Sequence, residues 1–365
     1  MSSTTFFNDS EVPVLTSSLS LPNNHTLSVV ASPSRPKITH HYSHIKSPPR
    51  TISICSPSTY RLSLSNDRFL YECGLCDLIT FTAIVNMLSS ISSNAFPINK
   101  RCMELEDQVF LFLFKLRHNH SYTHISNLFN VSTSTCNDVF HNILSMFDAL
   151  LGDTVQSIPP PNVCKNSTFL PNSFKASLSN VTAILDCTDF PISHPRSRPE
   201  LHKPFYSSYR GGNTFKTLIT ISPCGTILHV TPFVGGSTSD KEIVSDPNYL
   251  KCLSPGHCLL CDKGFLIDDI LPIGVTSIIP AFKNTDQFTQ IQALRNRTIA
   301  ISRVHVERVI GKLKNWKILD YFPPKVWPYT DQIIRACSIL TNLSNPVMSE
   351  MNDAFLSLKN NENLQ

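Results

Sequence analysis

Three acidic residues stand where carboxylates could do metal-dependent chemistry. Asp186 falls near the end of the apolar run at residues 181–187, Asp262 directly follows the apolar run at 258–261, and Glu307 lies in a later helix candidate. Carboxylates at the ends of buried strands are costly to bury unless they are paired or bind a cation. Two strand-end carboxylates and one from a helix can together form an oxygen-lined site for Mg²⁺ or Mn²⁺. Two such ions can clamp the attacking and leaving oxygens of a phosphodiester.

The helix candidate that carries Glu307 is strongly basic. Arg303, Glu307 and Lys314 follow one another at i, i+4 and i+11, which puts all three within about 40° of one helix face. A single acid among many bases suits a residue that binds metal beside residues that bind DNA phosphate. The alternative is a solvated basic helix with an i,i+4 ion pair. The basic residues of this stretch are Arg295, Arg297, Arg303, Arg308, Lys312, Lys314 and Lys317.

The segments that must position these acids alternate between strands and helices. Apolar runs predict four strands, at residues 181–187, 214–222, 227–234 and 258–261. Ser239 can cap a short helix, and spaced apolar residues predict a long helix at 299–313. This order predicts an α/β domain with a mixed sheet flanked by helices.

A helical region precedes this domain. Apolar residues at helical spacing predict helices at 76–93, 104–117, 122–129 and 133–147. The turn before Ser132, which can cap the last of these helices, predicts a helix-turn-helix, with a small helical bundle as the alternative. The exposed face of the last helix should consist of Thr133, Ser134, Asn137, Asp138 and His141. That face contains no Arg or Lys, which argues against strong base reading.

Composition sets the outer boundaries. The chain is 41% apolar and 16% charged with a net charge of +4, which excludes disorder throughout. Residues 1–65 contain 16 Ser, 7 Thr and 7 Pro but no Gly, and such a stretch cannot bury enough apolar surface to offset its ordering entropy. The resulting domain map has a disordered tail at 1–70, a helical domain at 71–150 with its helix-turn-helix at 103–148, a linker at 151–180, the α/β domain at 181–345 and a tail at 346–365.

Twelve cysteines and the absence of a secretory signal pattern predict reduced thiols. Two pairs are spaced Cys-x-x-Cys, at 73–76 and 258–261. A structural zinc needs four ligands, and the second pair lies in an apolar run, so buried thiols are predicted rather than a metal site. No apolar run reaches the roughly 18 residues of a membrane span, so no membrane association is expected.

A series of ordered motifs then carries a family resemblance. The motifs are ILDCTD at 184–189, YSSY at 206–209, NTFK at 213–216, GGSTSDK at 235–241, CDKGF at 261–265 and RVHVER at 303–308. By these motifs, residues 181–345 resemble the transposase domain of Harbinger-type elements, which belongs to the DDE superfamily of endonucleases. The segment at 103–144 resembles the helix-turn-helix domain that precedes it in those proteins.

The resemblance implies an RNase H-like fold and metal-dependent cutting and joining of DNA. The catalytic, metal-binding acids would be Asp186, a second Asp and Glu307. Fold logic favours Asp262 as the second acid, with Asp240, in the Gly-Gly-x-x-Ser-Asp motif, as the alternative. If Asp262 is the second acid, Asp240 is a fourth catalytic, metal-binding acid or a residue that fixes its loop. Related bacterial transposases have a Tyr where this chain has Ala300, so one phosphate-contacting hydroxyl is missing.

The remaining expectations concern binding. DNA backbone contacts are expected from Arg303, Arg308, Lys314, Lys312 and, more weakly, Lys216. The resemblance further implies one or two Mg²⁺ or Mn²⁺ ions, transposon terminal repeats as substrate, a Myb-like partner protein and a nuclear location, and it leaves a homo-oligomer open. The alternative is a protein co-opted by its host that binds DNA or acts as a scaffold without cutting. An unrelated α/β hydrolase has no Gly-x-Ser-x-Gly elbow to support it.

Overall fold

A computed structural model describes most of the chain between residues 58 and 345. The described residues are 58–91, 103–165, 170–171, 174–175, 178–193, 202–281 and 289–345. The predicted tail at 346–365 and residues 1–57 of the predicted N-terminal tail lie outside them.

Six helices form the first part of the described chain. They are α1 (Ser58–Leu62), α2 (Asn66–Cys73), α3 (Leu78–Ser90), α4 (Leu105–His118), α5 (Tyr122–Phe129) and α6 (Thr133–Leu151). Ser121 and Ser132 cap α5 and α6 by accepting a backbone N–H. Asn119 and Asn130 end α4 and α5 in the left-handed conformation that Asn tolerates. The predicted helix-turn-helix is therefore present, with α5 at its predicted bounds.

The predicted disordered tail is wrong from Ser58 onward. Helices α1 and α2 cover most of residues 58–73. Aromatic rings hold them in place, since Tyr60 and Phe69 lie 5.8 and 5.0 Å from the ring centroid of Phe110 in α4. A Ser-rich composition concealed these two anchoring side chains, whose shared partner, Phe110, is distant in the sequence.

The predicted linker at 151–180 contains helical turns and buried apolar side chains among its described residues. A 3₁₀ turn at Gly152–Val155 follows α6, and the short helix α7 spans Pro161–Lys165. Its Pro and Asn residues interrupt regular structure, but widely spaced apolar side chains fasten the segment to the core. The buried ones are Val155, Ile158, Leu170, Phe174 and Leu178.

A mixed sheet with helices forms the second part. Its strands are β1 (Ala183–Pro191), β2 (Tyr206–Ser207), β3 (Gly212–Ile221), β4 (Ile227–Val230), β5 (Val234–Gly235), β6 (Cys258–Leu260) and β7 (Thr276–Ile278). The helices are α8 (His202–Phe205), α9 (Asp240–Val244), α10 (Pro247–Lys251), α11 (Gln290–Leu313) and α12 (Thr330–Asn342). The strand order in the described residues is β2-β3-β1-β6-β7, with β4 and β5 also pairing with β3.

Strand direction divides the sheet into two halves. β3 runs antiparallel to β1 and to β4, whereas β6 runs parallel to β1 and β7 parallel to β6. The predicted fold class, a mixed α/β sheet of RNase H-like type after a helical region, is confirmed. The strand β7 was not predicted, because three residues are too few for a periodic signal.

The two faces of the sheet belong to different cores. Ile184 and Leu260 pack in the core shared with Val306 of α11, whereas Leu185 and Leu259 pack in a second core with the short helices α9 and α10. This alternation follows from the two-residue period of strands. It determines which side chains of β1 can face α11.

The described residues of the helical region and of the sheet share one core and lie in one compact unit. Helix α6 lies against α12, where Arg335 and Asp148 form an ion pair. In the described part of the chain, no one helix has the length and apolarity to cross a membrane, although α2 and α3 meet that test together as a bent pair, by length and composition.

Candidate active site

The first predicted acid lies inside a strand rather than at its end. β1 continues to Pro191, and Asp186 is paired with Ile219 of β3. The sequence placed the strand end too early because the polar residues after Cys187 stay extended only through pairing with β3, which is a non-local interaction. The position at the end of a buried strand predicted for Asp186 is therefore wrong.

The parallel pairing of β1 and β6 brings the first two acids to the same level. Ala183 is aligned with Leu259 and Ile184 with Leu260. Continuing this register by two residues aligns Asp186 with Asp262, which follows the end of β6. Because side chains alternate along a strand, Asp186 also shares the face of Ile184, the face that α11 covers.

Burial and nearby charges act on Asp186. Burial raises the pKa of Asp186 to about 6, the Arg303 guanidinium opposes this rise, and the carboxylates of Asp262, Glu307 and Asp240 add to it. Burial is the largest cause of the rise. The strand register places Asp186 level with Asp262, and Glu307 is exposed on α11, the helix that covers this face.

Arg303 bonds to the second acid. Its Nη1 donates to Oδ1 of Asp262 at 2.7 Å, and the backbone N–H of Lys263 donates to the same oxygen at 2.7 Å. The alternative of an i,i+4 ion pair between Arg303 and Glu307 is not what the structure shows, since Arg303 reaches across to the sheet. Among the described residues, the buried Nε of Arg303 finds no acceptor.

Asp240 has a different environment. It begins α9, which Ser239 caps as predicted, and its Oδ1 lies 2.6 Å from Nζ of Lys216. Lys216 also donates to the carbonyl oxygen of Thr238 at 3.1 Å. Strand alternation puts Lys216 on the face of Leu218, opposite the face of Asp186. This geometry favours the loop-fixing alternative for Asp240, and it leaves Lys216 engaged within the chain.

Of the other predicted basic residues, Lys314 and Arg308 follow Glu307 on α11 or at its end. Nζ of Lys314 donates to the carbonyl oxygen of Asp189 at 3.3 Å and lies 5.1 Å from the ring centroid of Phe190, so it stands at the far end of β1. Arg308 is exposed beside Glu307.

Lys312 points elsewhere. Its Nζ donates to the carbonyl oxygens of Thr341 and Asn345 near the end of α12. Five residues along a helix turn the side chain by about 140° from Glu307. The side chain of Lys312 therefore stabilises a helix end in this structure, and its DNA contact stays a prediction.

Arg210 was missed by the sequence analysis. It is exposed in the turn before β3, and its charge, after burial, is the next cause that lowers the pKa of Lys314. The signal that could have found it is its position directly after the YSSY motif.

The donor set suits a hard divalent cation in chemistry but is not assembled as a cluster. Carboxylate oxygens are the ligands that Mg²⁺ and Mn²⁺ prefer. Across the described ranges, no three His, Cys, Asp or Glu side chains are grouped so that they could hold an ion together. Asp262 is bonded to Arg303 instead, so ligation by Asp262 requires that this bond be exchanged. Asp186, Asp262 and Glu307 therefore fit the expected ion by the chemistry of their oxygens.

The exposed face of α6 matches the prediction only in part. Thr133, Ser134 and Asp138 are exposed, but the ring of His141 lies 4.1 Å from that of Tyr329. His141 is therefore covered by the segment that leads into α12. Cys73, Cys258 and Cys261 are buried, which confirms buried thiols at these three positions.

Comparison with protein families agrees with both regions. Residues 185–342 match the DDE superfamily endonuclease family, and residues 101–153 match the helix-turn-helix of DDE superfamily endonuclease. No curated protein and no solved structure matches the chain. The chain thus carries a DDE superfamily endonuclease domain preceded by the helix-turn-helix of that superfamily.

Proposed function

We propose that this chain is a metal-dependent DNA endonuclease of Harbinger transposase type, which cuts and joins phosphodiester bonds at transposon ends. The observation that carries the proposal is the register of β1 with β6, which aligns Asp186 with Asp262 on the sheet face that α11, the helix of Glu307, covers. Titratable groups that converge at one place on a sheet are typical of a functional site.

The chain's acids would hold one or two Mg²⁺ or Mn²⁺ ions. Asp186 supplies a carboxylate from the sheet, Asp262 a second one at the same level, and Glu307 a third from α11. When bound, the metal supplies Lewis-acid activation of a water and stabilises the leaving oxygen of the phosphodiester.

Basic residues near the acids would position the DNA backbone. Arg308 and Lys314 lie on α11 or at its end, Arg210 adds charge near Lys314, and Arg303 already stands among the acids. Guanidinium groups match phosphate oxygens in a bidentate way. Lys216 is held by Asp240, and it has no DNA contact in this proposal.

The wider setting follows from the same proposal. The exposed residues at the start of α6 are uncharged apart from Asp138, which supports reliance on a separate DNA-binding partner of Myb-like type. Terminal repeats in chromosomal DNA as substrate imply a nuclear location.

Nicking of supercoiled plasmid by the purified chain tests the proposal. Nicking should require Mg²⁺ or Mn²⁺, and Asp186→Asn and Glu307→Gln should each reduce its rate at least about 1000-fold, since each removes a metal ligand. The matched control is Asp269→Asn, an exposed carboxylate paired with Lys241 outside the site, which should nick at the parental rate.

Two outcomes would contradict the proposal. If either acid variant nicks at the parental rate, the assignment of the acids is wrong. If the parental chain binds plasmid but nicks it with neither ion, even when the plasmid carries the transposon ends and the DNA-binding partner is present, the proposal is contradicted in favour of the host-co-opted, non-cutting alternative. The bond between Arg303 and Asp262 is the observation that keeps this alternative open.

A further inference from the structure

Arg303 and Asp262 form an ion pair with unequal surroundings. The side chain of Arg303 is 14% exposed, whereas that of Asp262 is 49% exposed. A single donor, Nη1, reaches a single oxygen, Oδ1, which also accepts the N–H of Lys263. Such a pair is open to solvent on the side of the carboxylate, so another cation can approach Asp262.

Arg303 supplies positive charge beside the acids. Its guanidinium contacts Asp262 directly, and the register of β1 with β6 aligns Asp186 with Asp262 on the face that α11 covers. A carboxylate in a half-buried position needs a compensating cation. In the described structure, the guanidinium of Arg303 provides this compensation at Asp262.

Arg303 also has unused capacity to bind an anion. Its Nε is buried and has no acceptor among the described residues. An unsatisfied buried donor is costly, and a guanidinium binds phosphate best with two parallel N–H groups. A phosphate oxygen would satisfy this donor, which the bond to Asp262 leaves unpaired.

We infer that Arg303 is an exchangeable counter-cation of the acidic site: it bonds to Asp262 in the absence of DNA and moves to a backbone phosphate when DNA binds. Asp262 then becomes available to a divalent cation. This inference rests on the proposed function. It makes DNA binding and cation binding reinforce each other, and by linkage the effect is equal in both directions. The exchange keeps the affinity of the site for the divalent cation low until DNA is bound.

Mn²⁺ binding tests this inference without any cleavage readout. Free Mn²⁺ is measured by its paramagnetic resonance signal in titrations of the full chain, with and without a 30-base-pair duplex of arbitrary sequence. The salt concentration is held at 0.1 M, since salt screens the attraction between the chain and DNA. A titration of the duplex alone corrects for ions bound to DNA. In the parental chain, the duplex should tighten Mn²⁺ binding about tenfold.

The variant Arg303→Gln should remove the coupling. Without DNA it should bind Mn²⁺ about tenfold more tightly than the parental chain, since no guanidinium competes for Asp262, and the duplex should add little. The matched control is Arg297→Gln, an exposed arginine earlier on α11, which should keep both the parental affinity and the parental coupling. Far-ultraviolet circular dichroism establishes that each variant is folded.

The outcomes separate this inference from the proposed function. If the duplex leaves the Mn²⁺ affinity of the parental chain unchanged, the inference is wrong, and no variant is needed to decide it. If Arg303→Gln binds Mn²⁺ no more tightly than Arg297→Gln, it is wrong as well. If Asp186→Asn binds Mn²⁺ as the parental chain does, the metal site and the proposed function fail instead.

Discussion

Two of the arginine–aspartate pairs that link distant segments among the described residues differ in construction. Arg335 donates Nε and Nη2 to both oxygens of Asp148, at 2.6 and 2.7 Å. Arg303 donates only Nη1, to one oxygen of Asp262, at 2.7 Å. The side chain of Asp148 is 14% exposed, against 49% for Asp262.

The difference distinguishes a structural ion pair, Arg335–Asp148, from an exchangeable one, Arg303–Asp262. The bidentate pair joins α6 to α12 and so holds the helix-turn-helix against the sheet domain. Both oxygens of Asp148 are used, which leaves little for a competing ion. The single-bonded pair lies among acids that a cation can bind, and it leaves a donor of Arg303 unpaired. Geometry and burial, rather than residue type, therefore decide which pair stabilises the fold.

The largest expected effect on stability comes from breaking the bidentate pair of Arg335 and Asp148. Arg335→Ala leaves the largely buried carboxylate of Asp148 without its partner, so we expect the free energy of unfolding to fall by about 2–4 kcal/mol. Urea denaturation measures the change. A loss below about 1 kcal/mol would show that the pair does not fasten the two regions.

Removing the central acid should act in the opposite direction. The pKa of Asp186 is raised to about 6, so the folded state binds a proton that the unfolded state has released between about pH 4 and pH 6. Ionisation therefore lowers stability as the pH rises through this range. We expect Asp186→Asn to stabilise the metal-free protein by about 2 kcal/mol at pH 8, with the gain disappearing near pH 4.

Urea denaturation in EDTA at the two pH values measures that gain. Asp269→Asn is the control, because the pKa of this exposed carboxylate is lowered, chiefly by its bond to Lys241, so its replacement should bring no gain in stability at pH 8. A gain for Asp186→Asn that is the same at pH 4 and pH 8 would disprove the electrostatic explanation.

The single-bonded pair of Arg303 and Asp262 should contribute little to stability. Arg303→Gln removes one bond to a half-exposed carboxylate and also removes an unsatisfied buried donor. We therefore expect the free energy of unfolding to change by less than about 1 kcal/mol at pH 7. Urea denaturation of this variant beside Arg335→Ala measures the change. If the two variants lose the same free energy of unfolding, both pairs are structural.

The smallest effect concerns DNA binding from the exposed side of α11. Arg308→Ala should weaken binding of a duplex, and it should reduce the slope of log affinity against log salt by about one, since one phosphate contact is lost. Fluorescence anisotropy at several salt concentrations measures the slope. An unchanged slope would exclude Arg308 from the DNA interface.

Local features of this fold were predictable from the sequence. The bounds of α5 and the caps at Ser132 and Ser239 follow from capping residues and helical spacing, which act over a few residues. The α/β order followed from alternating apolar runs. The neighbourhood of Asp186, Asp262 and Glu307 was expected from the strand-end argument and the family resemblance, and the register of β1 with β6 supports it.

Non-local features could not be predicted in this way. The extension of β1 past Asp186 depends on pairing with β3, and the ordering of α1 depends on the packing of Tyr60 against Phe110. The bond between Arg303 and Asp262 joins residues 41 positions apart. Spacing along α11 indicated a shared face but gave no information about which acid Arg303 contacts.

The position of Mn²⁺ in crystals of this chain grown with the ion and a DNA duplex tests the central claim most directly. Anomalous scattering locates the ion without reference to activity. We expect the strongest peak between the carboxylates of Asp186 and Asp262, with Arg303 released from Asp262. No peak at these acids, with the bond between Arg303 and Asp262 intact, would contradict the account.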